Sequence, residues 1–177
     1  MTPHACVIRP ETPADIDAID QLTRDAFLHA EHTDHTEQFI VKALRDAGAL
    51  SVSLVAELDG TVIGHVAASP VSISDGTPHW YGLGPVSVAP GHQGLGVGSK
   101  LVNRLLDDLR LVGAAGCVVL GNPAYYARFG FRAESALVLP GVPAEYFQAL
   151  VLEGTLPAGS VSYHRAFDAH PDTGWPT

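Results

Sequence analysis

Cysteine is nearly absent from this sequence: Cys6 and Cys117 are the only two in 177 residues, too few for the disulfide framework of a small secreted scaffold. Cys117 opens the apolar run Cys117-Val118-Val119-Leu120, where a reduced thiol serves as a small core hydrophobe. Long apolar runs are lacking as well. None approaches the roughly 20 residues that a membrane-crossing helix needs, and residues 1–6 do not have the basic-then-apolar layout of a secretory signal. The expectation is a cytoplasmic protein with no membrane partner. Cations are scarce: ten Lys and Arg stand against nineteen Asp and Glu, for a formal charge of −9. That average field repels nucleic acid and suits a cationic or amine-bearing substrate, while leaving room for a local pocket that binds one anion.

What is present is a packed core. Hydrophobic residues make up 46% and charged residues 16%, a balance that predicts one globular domain over residues 1–168 with a loose tail over 169–177. A short strand over 5–9 leads to Thr12 and Pro13, an N-cap followed by proline at the first helical position. The helix they start carries Ile16, Ile19, Leu22 and Phe27 and frays near His29. Phe39, Ile40, Ala43 and Leu44 mark a second helix ending at Gly48. Alternating residues from Ser51 then predict a strand, a hairpin turn at Asp59-Gly60, and a return strand over 61–73. A third strand, 79–89, is interrupted by Gly82, Gly84 and Pro85, and Pro85 cannot donate to a ladder, which predicts a bulge. The next helix presents Val97, Leu101, Leu105, Leu109 and Val112 along one stripe. A buried strand over 116–121, a short helix over 123–128 stopped by Gly130, a strand over 131–139, a helix over 144–150 and a last strand over 161–167 complete the chain. Such mixing predicts an α/β domain with a partly antiparallel central sheet flanked by helices.

Between the first two helices, His29, Glu31, His32, His35 and Glu37 form a titratable cluster. The histidine spacing of three and three could set metal ligands on successive helical turns, but zinc sites use tighter Cys/His pairs. A solvated or substrate-facing loop fits better, and no metal is expected.

The segment Gly91-His92-Gln93-Gly94-Leu95-Gly96-Val97-Gly98-Ser99 joins the broken strand to the amphipathic helix. Its glycines let the backbone approach a ligand, and the first helical N–H groups aim the positive end of the helix dipole at it, so an anion is the expected guest. A nucleoside triphosphate loop requires Gly-Lys-Ser/Thr, whereas Gly98 is followed by Ser99-Lys100. A dinucleotide loop requires a third glycine where Ser99 stands and an acidic residue about 20 positions on. A glycine-rich connection with no ligand is the competing reading.

The stretch from Val86 to Leu101 resembles the coenzyme A signature of the GNAT superfamily of N-acetyltransferases, Gln/Arg-x-x-Gly-x-Gly/Ala, with Gln93, Gly96 and Gly98 filling it. Ala124-Tyr125-Tyr126-Ala127-Arg128-Phe129-Gly130-Phe131 is similar to the family's tyrosine-bearing short helix ending in Gly-Phe. The resemblance implies the GNAT fold, a mixed sheet splayed at the acetyl-CoA site, and acetyl transfer to a primary amine of a small molecule or peptide. It implies that Gln93, Gly94, Leu95, Gly96, Val97, Gly98 and Ser99 hold the pyrophosphate. It further implies that Val86, Ser87 and Val88 pair with the pantetheine arm, that Asn122 meets it or caps the next helix, and that Tyr126 donates the proton to the leaving sulfur. Tyr125 is the rival for that role, since neighbours on a helix point about 100° apart. The general base stays open among His79, Glu31, His32 and a water chain. A non-catalytic acyl-CoA sensor is the alternative function, and the resemblance leaves room for a homodimer.

Overall fold

The computed structural model describes residues 5–28 and 35–169. In chain order its elements are β1 (Val7–Pro10), α1 (Ile16–Phe27), α2 (Glu37–Asp46), β2 (Val52–Leu58), β3 (Thr61–Pro70), β4 (Ser72–Ile73), β5 (Trp80–Val88), α3 (Val97–Leu111), β6 (Gly116–Leu120), α4 (Pro123–Tyr126), β7 (Leu137–Val138), β8 (Phe147–Val151) and β9 (Gly159–Ser162). The main sheet runs β1-β2-β3-β5-β6-β8, and β4-β9-β7 form a small second sheet. Only β5 and β6 pair in parallel within the main sheet, as the intervening crossover through α3 requires.

Both faces of the main sheet are covered, and the alternation of side chains along the strands assigns each face its helices. Leu54 and Ala56 of β2 face α3 and join Leu101, Leu105 and Leu109 in the largest core cluster, whereas Val55 packs with Ile19 of α1 and Val41 of α2. Gly64 lets α3 lie close: a Cβ there would stand 2.9 Å from the Leu101 side chain. The face under α1 and α2 also buries a polar cluster. His65 is fully buried, its Nε2 lies 2.8 Å from Ser53 Oγ, Ser53 in turn donates to Glu11, and Arg45 binds Glu11 through two nitrogens at 3.1 Å. Burial above all pushes the His65 imidazole down to about 4, with the Arg45 charge adding to the effect and Glu11 opposing it.

The hairpin at Asp59-Gly60 forms as its sequence demands, both residues at positive φ (52° and 80°). Several elements after β5, and some before it, differ from the sequence expectation. Pro13 opens a 3-10 turn that precedes α1. The return strand ends at Pro70, and Ser72–Ile73 belongs to the second sheet. Val112 lies beyond α3 and is 62% exposed. Residues 131–139 contribute only β7 and a bridge from Arg132 to Ala149. Residues 144–150, expected as a helix, become a 3-10 turn followed by β8, because β6 pairs on that side through Val118↔Ala149 and the partner ladder outweighs local helix preference. The expected strand over 161–167 is β9 followed by a 3-10 turn, Arg165–Asp168. Ala169, placed at the start of a loose tail, is buried with Ala166 beside α2.

Candidate active site

Pairing of β5 with β6 starts at Trp80↔Gly116 and stops at Leu83↔Val119, but β5 runs on to Val88. On its other edge β5 stays bound to β3 through Val66↔Val86, His65↔Ser87 and Gly64↔Val88. Two residues, Gly84 and Pro85, oppose the single Ala67, so the expected bulge forms at the proline. From Gly84 to Val88 one edge of the strand therefore has no strand beside it among the described residues. Ser87 as a whole is 1% exposed, and because Ala89 donates to Ile63 on the β3 side, the alternation of the ladder turns the backbone groups of Val86 and Val88, not those of Ser87, to that edge.

The glycine turn follows at once. Gly94 and Gly96 take positive φ (79° and 85°), conformations that disfavour any side chain, and α3 begins at Val97. Gly98 lets the Tyr125 hydroxyl lie close to α3, since a Cβ there would sit 2.8 Å from it and the ring would have to shift. The Gln93 side chain donates to the Val88 carbonyl at 3.0 Å and ties the turn to the end of β5. The N–H groups of Val97, Gly98 and Ser99 have no acceptor inside the helix, and they border a cavity of about 410 Å³ that Val88, Gln93, Tyr125 and Arg128 also line. Leu95 is 71% exposed at the tip. Arg128, 4.5 Å above the Tyr125 ring, brings a positioned cation to this cavity.

Asn122 caps α4 by accepting from the Ala124 N–H at 2.9 Å, and Gly130 (φ 96°) ends the short helical segment. The two tyrosines between them diverge, with rings edge-on at 90°. Tyr125 borders the glycine-turn cavity, while Tyr126 borders a separate one, about 360 Å³, formed with Gly84, Pro85 and Val86 of the open strand. The helical turn thus sends one tyrosine to each cavity. Burial pushes the Tyr126 phenol up to about 12, so it is protonated at neutral pH. Its ring rests on Gly121, where a Cβ would come within 2.6 Å of it.

Of the remaining candidates, Asn122 is exposed and its side-chain oxygen is committed to the cap. His79 is corrected: it is exposed at the opposite end of β5, five positions before Gly84, roughly 16 Å of extended chain. Glu31 and His32 lie outside the described residues. Among the described residues no group of three or more His, Cys, Asp or Glu could hold a metal, and no helix is long and apolar enough to cross a membrane. Arg128 escaped the sequence reading, although its spacing of three from Tyr125 puts both on one helical face. Phe27, Ile40, Leu139 and Phe167 escaped as site residues for want of any local signal, because only tertiary contact brings them to the Tyr126 cavity, whereas Glu37, which lines it too, belongs to the titratable cluster for which a substrate-facing loop is one of the expected roles.

Known proteins resemble this chain in sequence and fold. The profile of the "Acetyltransferase (GNAT) family" matches residues 16–131. The Escherichia coli K12 protein named "Uncharacterized N-acetyltransferase YhbS" is 36% identical over 169 residues, covering 92% of this chain and 98% of that protein. A crystal structure of a GNAT family acetyltransferase from Brucella melitensis in complex with acetyl-CoA is 48% identical with a TM-score of 0.84, over 93% of this chain and 99% of its own. That of E. coli YhbS in complex with CoA is 35% identical with a TM-score of 0.87, over 97% and 96%. With a family match over most of its length and relatives of this similarity, the chain belongs to the GNAT family of acetyltransferases.

Proposed function

We propose that this chain moves the acetyl group of acetyl-CoA directly to a primary amine of a small molecule or peptide, in the cytoplasm, through one domain spanning residues 1–168. The observation that carries the reading is the continuity of three features: an uncovered strand edge at Gly84–Val88, a helix N-terminus behind two positive-φ glycines, and a protonated tyrosine beside that edge. Each fits a part of acetyl-CoA. The Val97, Gly98 and Ser99 N–H groups, with Gln93, Gly94, Leu95 and Gly96 shaping the turn, suit a pyrophosphate, and Arg128 adds a cation. Backbone groups of Val86 and Val88 suit the pantetheine amides, as an added strand would, while those of Ser87 stay in the ladder with β3 and hold the two in position. Asn122 is exposed at the start of α4 and would meet the same arm through its amide group.

Acetyl-CoA supplies an activated acetyl thioester; the protein supplies position and protons. A backbone N–H near Val88 would polarise the thioester carbonyl. Tyr126 holds its proton at neutral pH and donates toward the sulfur as charge develops there. The apolar surroundings that raise the phenol also raise the proton affinity of a departing thiolate, which keeps the two matched.

Unfolding midpoints with and without saturating acetyl-CoA test the binding, and thiol release with an amine panel tests the chemistry. A raised midpoint and amine-dependent release are expected. Binding without release would identify an acyl-CoA sensor instead, and an unmoved midpoint would remove the whole reading.

A further inference from the structure

The cavity that Tyr126 shares with the open strand has a second chemical identity. Its walls are Phe27 of α1, Ile40 of α2, Pro85 of β5, Leu139 and Phe167, segments from five distant parts of the chain. Among the described residues lining it, Glu37 is the one that carries a charge. We propose that this is the acceptor site, and that it takes a primary amine on a compact alkyl or aryl body, with the ammonium held by the Glu37 carboxylate. The proposal rests on the acetyltransferase reading and narrows its substrate.

Three observations support the occupant. First, Tyr126 and Pro85 lie on the same cavity as Glu37, so an amine drawn to the carboxylate is delivered beside the strand edge where the thioester belongs. Second, a cavity whose described lining is mostly apolar and carries a single carboxylate favours a guest that is cationic at one end and apolar along the rest. The net charge of −9 favours the approach of such a cation. Third, the volume of about 360 Å³ lies near the lower end of small-molecule sites, roughly 300–1,000 Å³. Leu139 also lines a neighbouring cavity that holds Glu134 and Glu145. A polyamine could use those further carboxylates, and Leu139 stands as a wall of each cavity. The wall selects the short, apolar-bodied amine.

The test titrates hexylamine, hexanol and spermidine calorimetrically into the full chain saturated with CoA, so that it reads binding and not turnover. Hexylamine is expected to bind more tightly than hexanol and spermidine. Glu37→Gln should weaken hexylamine about tenfold or more, as loss of a charge-assisted hydrogen bond does, and leave hexanol unchanged. Leu139→Lys, which sets a cation in the wall, should weaken hexylamine without moving the midpoint shift given by acetyl-CoA. A preference for spermidine overturns the proposal, as does hexylamine binding indifferent to both substitutions or no amine binding at all. An unmoved midpoint with acetyl-CoA would instead overturn the acetyltransferase reading, so the two failures are distinguishable.

Discussion

The two cavities that meet at α4 are built on opposite principles. The glycine-turn cavity is made largely from consecutive chain, Val88 through Ser99, and its functional groups are backbone amides held by the geometry of a turn and a helix end. The Tyr126 cavity is made from side chains of segments far apart in sequence, and most of its surface is apolar. A backbone-lined site serves one invariant ligand, because peptide N–H groups change little when side chains are replaced. A side-chain-lined site can be altered residue by residue. Dividing the molecule this way lets one donor be retained while the acceptor varies.

Substitutions that affect one cavity and spare the other test this division. Tyr126→Phe should lower kcat by about 10²–10⁴-fold, the range of a lost general acid, with acetyl-CoA affinity kept. Tyr125→Phe should leave kcat nearly unchanged; equal losses in both variants, measured by thiol release, would erase the distinction between the tyrosines. The sheet beneath both cavities carries the next effect. His65 is held at about 4 against an ordinary 6.5, so the unfolded chain binds a proton that the folded one refuses. Its contribution is fully present above about pH 6.5 and is lost as the pH falls through about 4, a change of up to ~3 kcal/mol. Urea unfolding between pH 4 and 7 should show this slope, and His65→Asn should flatten it.

On the donor side, Arg128→Ala should raise the KM for acetyl-CoA about tenfold and weaken its salt dependence while kcat at saturation stays within a factor of a few. A fall in kcat alone would place Arg128 with the chemistry and not with the phosphate. The smallest effect belongs to the segment joining the cavities. Asn122→Ala removes the cap of α4 and should cost about 1 kcal/mol of stability by thermal unfolding. A change in acetyl-CoA affinity much larger than that stability loss would show that Asn122 also touches the cofactor.

The same division explains what could be read in advance. Gln93, Gly94, Gly96 and Gly98 are legible because a tight turn at a helix start needs particular residues at adjacent positions, and the Pro85 bulge is legible because proline has no N–H. Tyr126 was separable from Tyr125 by helix geometry in principle, but which cavity each enters depends on where α4 lies. The 144–150 segment shows the limit most clearly. Its residues suit a helix, yet pairing with β6 makes them a strand. His79 failed for a related reason: sequence places it at the start of the cofactor strand, and only the loss of pairing with β6 after Leu83 shows that the open edge lies toward the other end.

Local chemistry alone therefore determined the hairpin, the broken strand, the glycine turn and the tyrosine helix, since each is specified by residues a few positions apart. Tertiary structure decided where β5 loses its partner, which tyrosine borders the gap, and that Phe27, Glu37, Ile40, Leu139 and Phe167 converge there. Those outcomes depend on strand pairing and helix packing between distant segments, and no local pattern encodes them.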